Sequence, residues 1–239
     1  MELLLGQYRA NEIFKGVTTM SAINKQQLMK LVSYFILGDG GVYRQSEKGN
    51  AQFIMNMKQE NADYIYWVKE VLENITTVKV VERILDNKDG CKRKPQYRLD
   101  TRCHPYFNAI RDRIYIDSYK GLDPHTLKLL DAEALAILYM CDGSLKTYKS
   151  VGSINWSYDV TLNLKRLSYG DQLLLKKTLK ELLDLEWNIN RNNQYYYLRL
   201  RSKDINKFME LVTPYIKPSF KYKLVCTAPE KGDDIVCSA

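Results

Sequence analysis

The sequence predicts an α+β fold in which an α-β-β-α-β-β-α unit occurs twice. Residues 32–40 and 135–143 are both apolar runs that end in Asp-Gly, and each precedes a polar, basic, strand-like stretch. A second pair of segments also matches, because residues 53–58 (FIMNMK) parallel residues 160–165 (VTLNLK). Similar segments in the same order indicate a duplication, so we expect two pseudo-symmetric repeats in one chain.

Hydrophobic spacing places the elements of the first repeat. The apolar residues between positions 25 and 37 recur at helical intervals. Gly40 follows, where a helix C-terminus favours a residue that can adopt positive φ. The other predicted elements are strands at 42–44 and 51–58, a helix at 63–74, strands at 78–84 and 96–101, and a helix at 105–113.

The second repeat has the same order of elements. A helix at 132–141, which Gly143 ends, is followed by strands at 146–149 and 154–166, a helix at 171–183, strands at 186–191 and 195–201, and a closing helix at 203–215. We therefore expect an N-terminal extension (1–24), a first repeat (25–115), a linker (116–130), a second repeat (131–224) and a C-terminal tail (225–239).

The composition narrows the class of protein. The chain has 36 Lys and Arg against 28 Asp and Glu, a formal net charge of +8. This excess favours a nucleic acid as partner, although it also fits a merely basic soluble protein. The five cysteines are odd in number and lack Cys-x-x-Cys spacing, which argues for a reducing compartment. No apolar run approaches the ~20 residues of a membrane span. We expect a soluble monomer in the cytoplasm of a bacterium or phage-infected cell, or in an organelle.

The two Asp-Gly pairs supply one carboxylate from each repeat, Asp39 and Asp142. A single Asp-Gly is a common helix stop or turn, but two copies in equivalent places favour a functional pair. Small residues would let the two helices approach closely: Ser33, Gly38, Ala136 and Cys141. Carboxylates at neighbouring helix C-termini are opposed by the helix dipoles and by each other unless a cation lies between them. Oxygen ligands without clustered His or Cys favour Mg²⁺ over zinc.

Both Asp-Gly segments resemble the paired helices of the LAGLIDADG homing endonucleases, in the single-chain form with two repeats. Residues 139–143 (YMCDG) are close to the YMDDG form that part of the family uses, whereas Tyr34 and Phe35 stand where the family often has smaller residues. The resemblance covers about residues 25–224 and includes the element order. It implies paired motif helices between the repeats, antiparallel sheets that form a DNA-binding saddle, and hydrolysis of both strands of duplex DNA at a long target site.

The resemblance also implies a cofactor. Asp39 and Asp142 would bind two or three Mg²⁺ ions shared at the interface of the repeats, helped by the backbone carbonyls of Gly38 and Cys141. The ions would polarise the scissile phosphate and lower the pKa of water. A member of this family would be encoded by a mobile intron or an intein-like element.

Three further residues resemble groups of the family's catalytic site. Lys120 and Lys223 follow the closing helix of each half, and each would hydrogen-bond the attacking water or the scissile phosphate. The alternative is that they are solvated surface lysines. Gln59 resembles a polar residue that some members place beside the water. Its counterpart is Lys165 or Arg166, so a structural turn residue is the alternative.

The predicted strands carry side chains suited to reading DNA. The resemblance implies that the antiparallel sheets lie in the major groove, where Arg, Lys, Asn and Gln can recognise base edges. Alternate strand positions share one face of a sheet. The candidates in the first half are Tyr43, Gln45, Gln52, Asn56, Lys58 and Arg98. In the second half they are Lys146, Tyr148, Asn155, Ser157, Asn163, Lys165, Asn188, Asn190, Arg199 and Arg201.

Two other functions compete with the nuclease. An intron-encoded maturase would use the same fold to assist RNA splicing, with its own intron RNA as partner. A transcription regulator with a degenerate copy of the fold would lack one or both acids, whereas this chain retains Asp39 and Asp142. Nucleases that depend on histidine are disfavoured, because neither His104 nor His125 lies in a suitable motif.

Overall fold

The computed structural model describes residues 23–83, 94–116, 119–149 and 157–225. Several sequence-based predictions lie outside these ranges. They concern residues 1–22 of the N-terminal extension, the C-terminal tail beyond residue 225, and Asn155 among the candidate DNA contacts.

Within the ranges described, the first half has three α-helices packed with a four-stranded sheet. Its elements are α1 (Lys25–Leu37), β1 (Gly40–Tyr43), β2 (Gln52–Lys58), α2 (Ala62–Leu72), β3 (Val78–Arg83), β4 (Gln96–Thr101) and α3 (Pro105–Ile114). A two-stranded pair, β5 (Tyr115–Ile116) and β6 (Tyr119–Lys120), and a short helix α4 (Pro124–Lys128) lead to the second half. The segment predicted as a linker therefore carries regular structure.

The second half repeats this order. Its elements are α5 (Ala132–Asp142), β7 (Gly143–Tyr148), β8 (Ser157–Leu162), α6 (Tyr169–Leu183), β9 (Trp187–Asn192), β10 (Tyr195–Leu200) and α7 (Ile205–Val212). The strand orders are β1-β2-β4-β3 and β7-β8-β10-β9, and all these pairings are antiparallel. The two sheets have the same topology, so the predicted α+β fold with two repeats is confirmed.

The two Asp-Gly helices, α1 and α5, lie at the centre of the molecule. Every residue from position 31 to 37 is buried, and so is every residue from 134 to 140. A helix that is apolar on all sides is stable only when protein surrounds it, which explains the central position of α5. Asn24 and Asp131 cap the two helices by accepting hydrogen bonds from backbone N–H groups of the first turns.

Contacts at both ends show that α1 and α5 lie side by side in the same direction. Near the start of α5, the Lys30 ammonium of α1 lies 2.6 Å from Asp131 and 2.8 Å from Glu133. At the other end, a Cβ built on Gly38 would lie only 2.6 Å from the Cys141 sulfur. Both helix C-termini, with the aspartates that follow, therefore meet at one end of this seam, which we define as the α1–α5 contact.

The role predicted for Gly40 is wrong. The residue that caps α1 is Gly38, with a φ of −77°, and Gly40 already belongs to β1. A Cβ at Gly40 would lie 2.6 Å from the Phe35 carbonyl oxygen and 2.6 Å from the Phe53 ring. The glycine is therefore needed for close packing of the strand on the helix and not for positive φ.

Other predicted elements differ from the structure in their bounds; the strand predicted at 146–149, for example, is Gly143–Tyr148. The strand predicted at 154–166 ends at Leu162, which pairs with Gly143, the first residue of β7. The preceding residue, Asp142, belongs to α5, so the ladder stops after the bond from the Asn163 N–H to the Asp142 carbonyl at 2.8 Å. The closing helix predicted at 203–215 is α-helical only over Ile205–Val212, with a 3₁₀ turn on each side. Pro214 lies in the second turn, where its missing N–H cannot continue an α-helix. No helix in the described ranges is long and apolar enough to cross a membrane.

Candidate active site and nucleic-acid interface

Asp39 and Asp142 meet at the end of the seam. Asp39 follows the cap residue of α1, and Asp142 is the last residue of α5. Desolvation, followed by the negative charge of Asp39, raises the pKa of Asp142 to about 6. A carboxylate influences a neighbour in this way only at short range. The helix packing therefore brings one acid from each repeat into a single site.

The two acids differ in exposure. The Asp142 side chain is half-buried, whereas Asp39 retains access to solvent. Asp39 nevertheless lines a hollow of the protein surface, and desolvation there is the largest influence on its pKa, which it raises. The cationic side chains of Lys120, Arg166 and Lys223 oppose this shift. The site therefore holds two carboxylates whose charged form is disfavoured by burial, and three cations whose charge partly offsets that effect.

Two hollows flank the seam, one beside each acid. The first, of about 400 Å³, contains Asp39 and is lined from the second repeat by Cys141 and Lys223. The other, of about 330 Å³, contains Asp142 and is lined from the first repeat by Leu37. Because each hollow combines residues of both repeats, neither would be complete without the other half of the molecule.

Lys120 and Lys223 are buried at this site, each about 7% exposed, so the surface-lysine alternative is wrong. The Lys120 ammonium donates to the carbonyls of Gly38 at 2.7 Å and Gly40 at 2.8 Å. The Lys223 ammonium donates to three carbonyls of the second repeat: Tyr139 at 3.2 Å, Met140 at 2.7 Å and Gly143 at 2.8 Å. Each lysine thus satisfies carbonyls at the end of the helix that positions its own aspartate.

The two lysines differ in the donors that they retain. An ammonium has three N–H donors, and Lys223 directs all three to protein carbonyls, whereas Lys120 directs two. Desolvation and the charge of Arg166 lower the pKa of Lys120 to about 8, and desolvation also lowers the pKa of Lys223. Of the two lysines, Lys120 has one donor that these contacts leave free, whereas Lys223 directs all of its donors to carbonyls.

Gln59 and its repeat counterpart lie in different surroundings. The Gln59 side chain is exposed and its amide donates to Glu82 at 3.0 Å. Among the described residues that line the two hollows, Gln59 does not occur, whereas Arg166 lines the hollow of Asp142. Sequence reasoning did not include Arg166 in the site. Its match to Gln59 in the repeat alignment was the available signal.

The donor set fits a hard divalent cation. Two carboxylates lie at the same end of the seam, and the nearby peptide carbonyls add further oxygen atoms, which suits Mg²⁺. Among the described residues there is no group of three or more His, Cys, Asp and Glu side chains that could hold a metal on its own. A cation here would therefore need oxygen atoms from water or from a substrate phosphate. Burial raises the pKa of the Cys141 thiol, which keeps this soft ligand protonated.

The outer face of the first sheet collects most of the candidate DNA contacts of the first half. Alternation along β2 buries Phe53, Met55 and Met57 and leaves the even-numbered residues on the other face. Across the strands, Tyr43 pairs with Gln52, Asn56 with Arg98, and Lys58 with Gln96. Gln45 lies beyond the end of β1 and is exposed.

The second sheet presents an equivalent face. Lys146 pairs with Asp159, Tyr148 with Ser157, Arg199 with Asn188, and Tyr197 with Asn190, all with partly or fully exposed side chains. Asn163 and Lys165 instead follow the end of β8 and line the hollow of Asp142. Arg201 lies past β10, where its guanidinium is bound to Glu186 at 2.6 Å.

One arginine on each sheet is already paired with an acid on the same face. Arg98 lies 2.7 Å from Asp100, and Arg199 lies 2.8 Å from Asp159. Both arginines come from the third strand in the order of their sheets. These ion pairs hold the guanidinium groups in one orientation.

Comparisons with known proteins agree with this architecture. Residues 34–208 match the model of the LAGLIDADG DNA endonuclease family. A probable intron-encoded endonuclease of Wickerhamomyces canadensis is 28% identical over 223 residues, which is 88% of this chain and 87% of that protein. An uncharacterised protein of Methanocaldococcus jannaschii is 28% identical over 208 residues, 84% of this chain and 74% of its own length.

Two further matches concern the fold and the share of a relative that this chain spans. The structure of the homing endonuclease I-WcaI bound to its DNA recognition sequence superposes with a TM-score of 0.70 at 20% identity, and covers 90% of this chain and 97% of that one. RecA of Mycolicibacterium flavescens is 28% identical over 232 residues, 92% of this chain, and the chain spans only about half of that protein (52%). The family match covers most of the chain, and we conclude that the chain belongs to the LAGLIDADG DNA endonuclease family.

Proposed function

We propose that this protein is a site-specific endonuclease that hydrolyses one phosphodiester in each strand of duplex DNA at a long target site. The observation that carries the proposal is the meeting of Asp39 and Asp142, one from each repeat, with buried lysines behind them. Two hollows beside a shared acid pair correspond to two scissile phosphates. A regulator or a scaffold would not need to retain two acids whose burial raises their pKa values.

The residues of the site divide the chemistry between them. Asp39 and Asp142, with the carbonyls of Gly38 and Cys141, would hold two or three Mg²⁺ ions, which when bound polarise the phosphate and acidify water. Lys120 donates its remaining N–H towards a phosphate oxygen or the attacking water. Arg166 and Lys223 offset the negative charge that develops in the transition state. Gln59 has no supporting contact in this role, because its amide is bound to Glu82.

The outer faces of the two sheets form the proposed reading surface for the major groove. The side chains able to recognise base edges there are Gln52, Asn56, Lys58, Arg98, Lys146, Asn188, Asn190 and Arg199. The ion pairs of Arg98 and Arg199 would hold these groups ready for a guanine.

The test is selection of cleaved sites from a randomised duplex library in Mg²⁺, with Ca²⁺ in a parallel reaction. Ca²⁺ binds oxygen ligands but is larger and coordinates less rigidly. We expect one long sequence to be enriched at the new DNA ends in Mg²⁺ and not in Ca²⁺. Ends without a common flanking sequence, or no ends at all, would refute a site-specific nuclease.

DNA binding should weaken steeply with salt. Contacts from these sheets to phosphates release counterions, so the affinity should fall by about a hundredfold or more between 50 and 200 mM salt. Fluorescence anisotropy with the selected site in Ca²⁺ measures this dependence. Lys146→Ala removes one positive charge from the reading surface and should reduce the slope of log affinity against log salt concentration by about one. If the DNA affinity of the parent protein does not change with salt concentration, binding through the sheets is contradicted.

An RNA-splicing role is the second candidate, because the cytochrome b mRNA maturase bI2 of Saccharomyces cerevisiae is 24% identical over 208 residues, although the chain spans only 47% of that protein. Such a role needs a folded RNA partner and does not require the acid pair. Metal-dependent cutting of duplex DNA favours the nuclease, whereas splicing stimulated equally by variants without the acids favours the maturase.

A further inference from the structure

The environment of the seam is not the same for the two acids. Gly38 and Cys141 occupy equivalent positions, each directly before the aspartate of its repeat. The Cys141 side chain fills the space above Gly38, where a Cβ would lie 2.6 Å from its sulfur and 2.9 Å from its Cβ. One repeat therefore projects a thiol across the seam while the other presents only backbone.

The thiol of Cys141 bridges two groups of the first repeat. The buried hydroxyl of Tyr64, on α2, lies 3.3 Å from the sulfur. Asp39 follows Gly38, which the Cys141 sulfur covers, and Asp39 and Cys141 line the same hollow. Hydrogen bonding to the nearby thiol opposes the rise in the pKa of Asp39 that desolvation causes. A thiol that donates its S–H to the carboxylate leaves its sulfur to accept from the Tyr64 hydroxyl. This gives a chain of hydrogen bonds from Tyr64 through Cys141 to Asp39.

Tyr64 is held in place by its surroundings. Its side chain is fully buried and packs edge-on against Trp67, with 5.6 Å between ring centroids, and against Phe220, at 5.4 Å. Phe220 belongs to the segment that carries Lys223, so the tyrosine joins the first repeat to the terminal segment of the second. A hydroxyl fixed on both sides in this way has little freedom to leave the sulfur.

The second repeat lacks this arrangement. Asp63 of α2 accepts a backbone hydrogen bond from Ser219 at 3.0 Å, and Asp171 of α6 accepts one from Leu122 at 3.2 Å, which makes these acids counterparts. Tyr64 follows Asp63, and Gln172 follows Asp171. The Gln172 amide donates to carbonyls of its own repeat and not to the seam. Within the described residues, Asp142 has no counterpart of the Tyr64–Cys141 pair.

We propose that Tyr64 and Cys141 are positioning residues that act through Asp39 and make the two cleavage sites of the enzyme unequal. The inference rests on the proposed nuclease function. A carboxylate can accept several bonds, so a thiol can orient Asp39 while the carboxylate still accepts other ligands. Orientation within a few tenths of an ångström affects the rate of a reaction at the site.

The first test measures nicking of each strand separately, on a duplex with a different dye on each strand. We expect Cys141→Ala to change the ratio of the two nicking rates by about tenfold, as for one lost hydrogen bond to a charged group. Tyr64→Phe loses a bond to the neutral thiol and should change the ratio in the same direction by a smaller factor. Cys141→Ser should restore the parent ratio, because a hydroxyl can donate to Asp39. Tyr34→Phe is the matched control, since that buried hydroxyl donates to the Thr126 carbonyl away from the site and should leave the ratio unchanged. Equal slowing of both strands, or no slowing, would overturn the inference.

The second test does not depend on DNA cleavage. The infrared S–H band of Cys141, identified by its loss in Cys141→Ala, should lie below that of a solvent-exposed thiol. It should shift upward in Asp39→Ala, which removes the acceptor. If the S–H band does not shift in Asp39→Ala, the inference is overturned even if the protein cuts DNA. If the band shifts but the protein never cuts DNA, only the nuclease function is refuted.

Discussion

Asp142→Asn is expected to abolish cleavage of duplex DNA, with a loss of about a thousandfold, or ~4 kcal/mol of transition-state stabilisation. The substitution keeps the shape of the side chain but replaces a charged oxygen ligand by a neutral amide at the point where the two repeats meet. DNA binding should remain, because the candidate contacts on the sheets are untouched. Strand-resolved cleavage in Mg²⁺ and anisotropy in Ca²⁺ measure the two properties separately.

The same variant should be more stable than the parent when divalent ions are absent. The folded-state pKa of Asp142 is raised to about 6, above its ordinary value. The protonated form thus stabilises the fold below about pH 4, and this contribution is lost as the pH rises through about 6. At pH 7.5 the ionised carboxylate costs on the order of 2 kcal/mol, so Asp142→Asn should raise the Tm by about 4 °C.

Asp184→Asn provides a matched control for both properties. Asp184 is exposed at the end of α6, and its hydrogen bonds with Lys180 and Lys207 lower its pKa to about 2. Its ionised form is therefore favourable, and the substitution should lower the Tm slightly while cleavage persists. Retained cutting by Asp142→Asn, or a Tm no higher than that of the parent in EDTA, would contradict the site described above.

Gly38→Ala is expected to destabilise the fold, because it adds a methyl group inside the seam. The new Cβ would lie 2.6 Å from the Cys141 sulfur, a distance that packed atoms do not tolerate. Either α1 and α5 separate or the thiol leaves its position, at a cost of about 1–3 kcal/mol. Urea denaturation should show a lower midpoint with an unchanged slope.

The cause of that loss can be isolated by a compensating change. Cys141→Gly alone should cost about 1 kcal/mol, because glycine is a poor helix former. In the double variant, Cys141→Gly removes the sulfur with which the new methyl group of Gly38→Ala would clash. The losses of stability of the two substitutions should therefore be clearly non-additive, and the double variant should be nearly as stable as Cys141→Gly alone. Gly170→Ala is the control, since a Cβ there meets only the Ser168 hydroxyl, at 3.7 Å. Additive losses would show that Gly38 is needed for another reason.

Local patterns predicted most of the secondary structure. The helix at 25–37 and the strand at 96–101 agree with the structure at both ends, because apolar spacing and capping residues act within a few positions along the chain. Errors occurred where a distant group decides the geometry. The strand expected to continue to residue 166 ends at Leu162 because its partner strand begins only at Gly143, directly after α5.

The site residues that occupy equivalent positions in both repeats could be predicted from the sequence. Duplication indicated that Asp39 and Asp142 occupy equivalent positions, and the resemblance added Lys120 and Lys223. The number of donors that each lysine retains could not be predicted, because it depends on which carbonyls face the ammonium after folding. Arg166 was missed because the first repeat has Gln59 at the matching position, so the duplication did not mark an arginine there.

By itself, the sequence determined the two repeats, the apolar helices, the alternating strand faces and the pair of acids, since each depends on a pattern within a short segment or on the comparison of two segments. Only the tertiary structure decided that Cys141 lies over Gly38, that Tyr64 reaches its thiol, and that Gln59 is bound to Glu82 instead of lining a hollow. These outcomes depend on which side chains the close packing of α1 against α5 brings together, and residues far apart in the chain carry no local record of their distance in space.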